Sequence, residues 1–238
     1  MAHPPACPHD PIEEIARDLY MVRGSFPLNS MMSICRNMAI VRHEGELTLV
    51  DPLRLDADEE RQLEKLGEVK RLLRLGPMHG IDDPYYLERH GAELWAPGAS
   101  ELHPEPKPDR IFTATTPLPF PDAELFCFEK TLQREAALLV RREGGNVLLT
   151  CDGIQHYGDY RYCSLLARMM MPWIGFPKTT IVGPRWLQMF TPPGASLEAD
   201  FRRLLELDFD HLLSAHGSFL RGGAHAAVER AVEKAFAS

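Results

Sequence analysis

Short apolar blocks separated by polar turns dominate the N-terminal part of the chain. Leu19 to Val22, Cys35 to Val41 and Leu47 to Val50 are three such blocks. The turn His43-Glu44-Gly45-Glu46 joins the last two and predicts a β-hairpin that ends at Asp51-Pro52. The period then changes. Asp56 to Leu66, rich in Glu, Arg, Gln and Leu, predicts a helix stopped by Gly67. Val69 to Leu75 predicts a strand. Asp83-Pro84 predicts an N-cap with a first-turn proline, opening a helix that runs to about His90. Glu93 to Ala96 predicts the next strand.

Residues 97–124 are proline-rich and read as loop. A second β block follows at Leu125 to Phe128, Ala136 to Val140 and Val147 to Cys151, with Glu143-Gly144-Gly145-Asn146 as a hairpin turn. Residues 152–195 carry a weak pattern and predict a short helix among long ordered loops. Ser196 can cap a helix bearing Leu197, Phe201, Leu204 and Leu205 on one face. His211 to Ala215 predicts a strand, and Gly222-Gly223 precede a last amphipathic helix. The plan of hairpin, strand and helix occurs once in each half. Residues 1–12, with four prolines and no period, predict a flexible tail ahead of a single domain over 13–238.

Composition narrows the function. The 238 residues carry 26 Lys and Arg against 34 Asp and Glu, a formal net charge of −8. That balance disfavours a phosphate backbone as the main partner, so no nucleic acid is expected. No apolar run approaches the length of a membrane helix, so no membrane partner is expected either. The start of the chain lacks a basic and then apolar leader, which makes the cytoplasm the expected compartment. Five cysteines without a C-x-x-C then read as reduced thiols.

Ligand-type residues cluster at the ends of predicted strands, where open α/β layers place their sites. His79 and Asp83 lie in the turn Met78-His79-Gly80-Ile81-Asp82-Asp83. Asp152 follows the strand ending at Leu149, and His216 follows the strand His211 to Ala215. His156 lies four residues beyond Asp152. Histidine, aspartate and histidine at separated strand ends suit a metal site better than a nucleophile. The serine-hydrolase elbow, the dinucleotide fingerprint and the P-loop are all missing from the sequence.

This order of parts resembles the metallo-β-lactamase superfamily. The likeness runs from about Ile15 to Phe236 and rests on four stretches. They are the hairpin Met38 to Val41 and Leu47 to Pro52, the run Leu66-Gly67-Glu68-Val69-Lys70, Leu148 to Asp152, and Ala215-His216-Gly217. The resemblance implies an αββα four-layer sandwich, two mixed β-sheets flanked by helices, in two similar halves. It also implies one or two metal ions, usually zinc and sometimes iron or manganese, and hydrolysis by metal-activated water.

The family motif H-x-H-x-D-H is degenerate here. Its best placement is His79 to Pro84, with Ile81 and Pro84 where the second and last histidines belong. The family's next histidine falls near Phe128 to Leu132, which offers Lys130 or Glu129. Asp152 and His216 match the bridging aspartate and the last histidine. The resemblance thus implies His79, Asp83, Asp152 and His216 as ligands of one divalent metal, zinc before iron or manganese. Asp152, Lys130 and His156 are the residues expected to assist chemistry, with Lys130 standing in for a second cation.

Two readings follow from this set. One is a hydrolase with a mononuclear site. The other is a metal-free relative that binds a ligand or a protein in the same cleft. A non-haem iron redox protein is a third, weaker option. A small-molecule substrate or ligand is expected, and the apolar stretch 157–190 is expected to form a lid or a homodimer surface, or simply to pack in the core.

Overall fold

The computed structural model describes residues 3–237. In the first half, β1 (Glu13–Ala16), β2 (Leu19–Pro27), β3 (Ser33–His43) and β4 (Glu46–Val50) form an antiparallel run. The helix α1 (Ala57–Leu66) leads to β5 (Glu68–Leu73), and α2 (Asp83–His90) leads to β6 (Glu93–Ala96). The strands β4, β5, β6 and the short β7 (Arg110–Ile111) pair in parallel. Together they make a seven-stranded mixed sheet in sequence order.

The second half repeats the plan. Its strands are β8 (Ala123–Cys127), β9 (Ala136–Val140) and β10 (Val147–Thr150). A small ladder pairs β11 (Ile154–His156) with β12 (Thr180–Val182), and the helix α3 (Leu165–Met170) lies between them. Next come α4 (Pro184–Phe190), α5 (Glu198–Leu204), β13 (His211–Ser214) and α6 (Ala224–Ala235). The four-stranded second sheet has the order β13-β10-β9-β8, with β13 parallel to β10.

Three apolar clusters account for the layers. Leu19, Val41, Leu73, Leu138, Leu149 and Leu213 meet between the two sheets. Leu49, Leu63, Leu72 and Tyr86 lie under α1 and α2 on the outer face of the first sheet. Leu148, Trp186, Phe201, Val228 and Val232 lie under α4, α5 and α6 on the outer face of the second. Strands apolar on both faces need cover on both, and the expected αββα sandwich is the result.

Local chemistry sets several boundaries. Asp56 caps α1, its carboxylate accepting from the amides of Asp58 and Glu59, and Gly67 ends the helix as expected. For α2 the expected cap at Asp83 is corrected. The N-cap position is Asp82, with no side-chain cap, and the Asp83 carboxylate is taken by Arg74.

The expected free tail is also attached at residues 8–10. The amides of Asp10 and Ser25 bond to the carbonyls of Arg23 and Pro8, extending the first sheet beside Gly24. Met1, Ala2 and Ser238 fall outside the described residues. All five cysteines are free thiols.

Candidate metal centre

The candidate site sits where strands of both sheets end together. The loop after β5 carries His79, the turn after β10 carries Asp152, and the turn after β13 carries His216. All three side chains are buried. The Nε2 of His79 lies 3.2 Å from Asp152 Oδ2, and the Nε2 of His216 lies 3.1 Å from Oδ1. The two Nε2 atoms are 3.3 Å apart. One imidazole nitrogen from each histidine and the carboxylate between them thus lie close enough together to share one ion.

The surrounding residues fix that aim. Nδ1 of His216 donates to the carbonyl of Cys35 at 2.7 Å, which leaves Nε2 facing inward. Gly217 follows with φ +91, and a Cβ there would meet the His156 carbonyl at 1.8 Å, so only glycine can make this turn. Arg36 clamps the other side. Its guanidinium reaches Asp82 Oδ2 at 3.2 Å, the Pro52 carbonyl at 2.8 Å and the His79 carbonyl at 3.3 Å. The Asp152 turn is held by Glu135. This buried carboxylate accepts from the Gly153 amide and from Trp186 Nε1, each at 2.6 Å. Gln155 donates to the Asp152 carbonyl at 3.1 Å and accepts from the Tyr157 hydroxyl at 2.8 Å.

The electrostatics follow from burial and pairing. Burial alone would raise the Asp152 carboxyl. The imidazoles of His79 and His216 reverse this and hold it well below the usual carboxylate range. Burial would lower His216, but the hydrogen bond to Asp152, the charge of that carboxylate and the bond to the Cys35 carbonyl together outweigh it and raise the imidazole. Burial and the nearby Asp152 charge push Glu135 well up. Burial likewise pushes the Cys151 thiol up, so it packs as a neutral group beside the site.

The donor set fits a metal ion. Zinc takes imidazole nitrogen and carboxylate oxygen at about 2.0–2.1 Å in tetrahedral sites, which puts neighbouring donor atoms about 3.3 Å apart. The 3.3 Å between the two Nε2 atoms matches that spacing, and each Nε2 has one oxygen of Asp152 at a similar distance, 3.2 Å to Oδ2 for His79 and 3.1 Å to Oδ1 for His216. The two N–O separations also fall within the range of about 2.7–3.2 Å for an N–H···O hydrogen bond, so Asp152 can be shared between the two imidazoles when no ion is bound. Among the described residues the buried Nδ1 of His79 has no hydrogen-bond partner.

Not every residue expected at the site reaches it. Asp83 is 0% exposed and pairs with Arg74, whose Nε and Nη2 approach one oxygen, Oδ2, at 2.7 and 2.6 Å. Burial pushes its carboxyl up to about 6 against the pull of Arg74. An aspartate engaged this way is an anchor for the His79 loop and is not placed with the three converging groups. Lys130 is exposed. The amides of Glu129 and Lys130 both donate to Asp200, which ties the turn to α5 and leaves the ammonium in solvent. The buried cation of the cavity is Arg36 instead. His156 sits on β11, where alternation turns Gln155 toward Asp152 and His156 away, onto Thr180 Oγ1 at 2.8 Å.

Arg36, Glu135 and Gln155 are the functional neighbours that the sequence reading missed. Arg36 had one signal, the only charge inside the mostly apolar block Cys35 to Val41. Gln155 was reachable by counting outward from Asp152 at period two. Glu135 had none, since its partners are 18 and 51 residues away.

A cavity of about 570 Å³ opens above the three groups. Phe26, Ile34, Met78, Met171, Phe176 and Trp186 supply most of its wall. His79, Asp152, Gln155 and His216 form its polar floor, and Arg185 stands at the rim.

No protein-family profile matches the chain, and no curated protein matches it in sequence. Solved structures do. The metallo-β-lactamase FIM-1 from Pseudomonas aeruginosa, in a mono-zinc form, is 12% identical with a TM-score of 0.63, covering 98% of this chain and 99% of that one. The chain has the metallo-β-lactamase fold. A metallo-β-lactamase from Erythrobacter litoralis is 14% identical with a TM-score of 0.64, over 95% and 92% of the two chains. Another from Hirschia baltica is 10% identical with a TM-score of 0.60, over 94% and 98%. The metallo-β-lactamase fold therefore accounts for the whole sandwich, including both strand ends that present Asp152 and His216.

Proposed function

We propose that this chain is a metal-dependent hydrolase with a single-ion site formed by His79, Asp152 and His216. The observation that carries the proposal is the mutual spacing of 3.1–3.3 Å among two inward Nε2 atoms and one carboxylate. The mono-zinc state named for the FIM-1 neighbour supports one ion as a workable state of this fold. A divalent ion there would supply Lewis acidity and an acidified water.

The chain's own residues do the rest. Asp152 stays ionised at neutral pH because two imidazoles face it. Cys35 and Arg36 hold the two histidines from behind, through His216 Nδ1 and the His79 carbonyl. The apolar wall excludes bulk water and receives the apolar part of a substrate, while Gln155 keeps the Asp152 turn in place.

Three ligands leave coordination open for water and substrate, the arrangement of catalytic rather than structural zinc. The positions that would complete a second site carry Ile81 and Pro84, and Lys130 faces solvent. Those losses favour one ion over two. They also support the competing reading, a metal-free binding module in which Asp152 is simply shared between His79 and His216.

The test is a hydrolysis screen. Protein loaded in turn with zinc, iron and manganese is assayed on aryl esters, thioesters, lactones and phosphodiesters, before and after chelation. Chelator-sensitive turnover that Asp152→Ala abolishes is the expected result. Tight metal binding without turnover of any class would reject the hydrolase. Failure to bind metal would leave the ligand-binding module.

A further inference from the structure

The cavity opens onto an unusual surface. Around its mouth the loop between β2 and β3 and the helix α3 with its following turn expose large apolar side chains. Trp173 is 89% exposed, Leu165 75%, Met31 73% and Met169 65%. Leu28, Ile174 and Met189 are also exposed and line the cavity entrance itself. Part of the apolar segment 157–190 does pack, as Ala167, Met171 and Trp186 show. The helix α3 buries Ala167 and turns both leucines and two methionines outward. Such a face is the reverse of a soluble helix surface.

The charge around this face is one-sided. From Tyr160 to Leu197 there is no Asp or Glu, and none from Leu19 to His43. Yet the chain as a whole carries −8. Within that acid-free stretch Arg161 pairs with Asp10. Arg168, Lys178 and Arg185 are exposed, and none of them pairs with a carboxylate among the described residues. Exposed Trp, Leu and Met beside unpaired cations are the two ingredients of attachment to an anionic lipid surface. A second copy of the chain is a poorer occupant. A two-fold contact would set this basic rim largely against itself, since Asp10 and Asp159, the carboxylates that touch these stretches, are already paired with Arg161 and Arg23.

We propose that the chain docks on anionic bilayers through Met31, Leu165, Met169 and Trp173, with Arg168, Lys178 and Arg185 at the headgroups. The mouth of the cavity then faces the lipid. Among the described residues no helix is long and apolar enough to cross a membrane. The early expectation of no membrane partner rested on that criterion, which does not address attachment from one side. The proposal does not depend on metal binding.

The test is co-sedimentation of the full chain with vesicles of phosphatidylcholine alone and of phosphatidylcholine with phosphatidylglycerol. Three unpaired cations predict about a hundredfold preference for the anionic vesicles at low salt, lost at high salt. Trp95 and Trp186 are buried, so a blue shift of fluorescence on binding reports Trp173. The variant Trp173→Ser/Met169→Ser, altered only at exposed positions, is expected to keep its thermal stability and lose vesicle binding by tenfold or more.

Equal binding to both vesicle types would overturn the proposal, as would unchanged binding by the variant. So would the absence of vesicle binding. If dimers then appear by sedimentation velocity and the double variant is monomeric, the face is an interface between copies.

Discussion

Replacing Gly183 by alanine probes the placement of Asp152 without touching its side chain. Gly183 enters α4 with φ −60 and ψ 109, values open to alanine, so no backbone strain is introduced. A Cβ there would lie 2.1 Å from the carbonyl oxygen of Asp152. Carbon and carbonyl oxygen approach to about 3.3 Å at closest. The Asp152 turn or the start of α4 must therefore move by about 1 Å.

Both are anchored: the Gly183 amide donates to the Gly153 carbonyl at 3.0 Å, and Trp186 donates to Glu135. Overpacking of this kind costs about 1–3 kcal/mol of stability. Displaced support of a metal ligand costs about 10–100-fold in metal affinity. Urea unfolding gives the first quantity, and zinc titration against a fluorescent chelator gives the second. Zinc affinity unchanged while stability falls would refute the link between this contact and the site.

Three further outcomes are expected. Asp83→Asn should keep the wild-type metal stoichiometry, because Asp83 faces Arg74. Its pKa is raised from 3.8 to about 6, so its stabilising contribution is complete below about pH 3.8 and is lost as pH rises through 6. This group's share of the fall across that window is on the order of 3 kcal/mol, and urea titrations should show the variant's stability falling less steeply there than the wild type's by about that amount. Phe128→Ala removes a buried ring packed against Trp186, Phe201 and Phe126 at 5.0–5.1 Å, and should cost about 3–5 kcal/mol by chemical denaturation. Asp56→Ala removes the cap of α1 and should cost about 1 kcal/mol, visible as a modest drop in melting temperature.

The sandwich was legible because its signals are local. Ala136 to Val140 and Glu93 to Ala96 are apolar blocks whose ends coincide with β9 and β6. Asp56 and Gly67 bracket α1 by their own chemistry. Asp152 and His216 stood out as polar residues just past apolar strands, and strand ends are where this layering collects side chains.

Asp83 misled because a ligand, a helix cap and an ion-pair partner are the same residue in sequence. Only Arg74, nine residues earlier and folded back, decides among them. Lys130 misled for a similar reason: its direction is set by Asp200, 70 residues on. The strands β11 and β12 have three residues each, too few for a period to show. Clustered Met and Trp gave no hint of which would be buried, and Trp173 and Trp186 took opposite fates.

His79, Asp152 and His216 are proposed to hold one ion together. Elemental analysis of tag-free protein, wild type beside Asp152→Ala/His216→Ala, tests this most directly. One equivalent of divalent metal is expected in the wild type after loading and purification, and none in the double variant, with both proteins folded by circular dichroism. A wild type that holds no zinc, iron or manganese after loading, or a double variant that retains its equivalent, would contradict it.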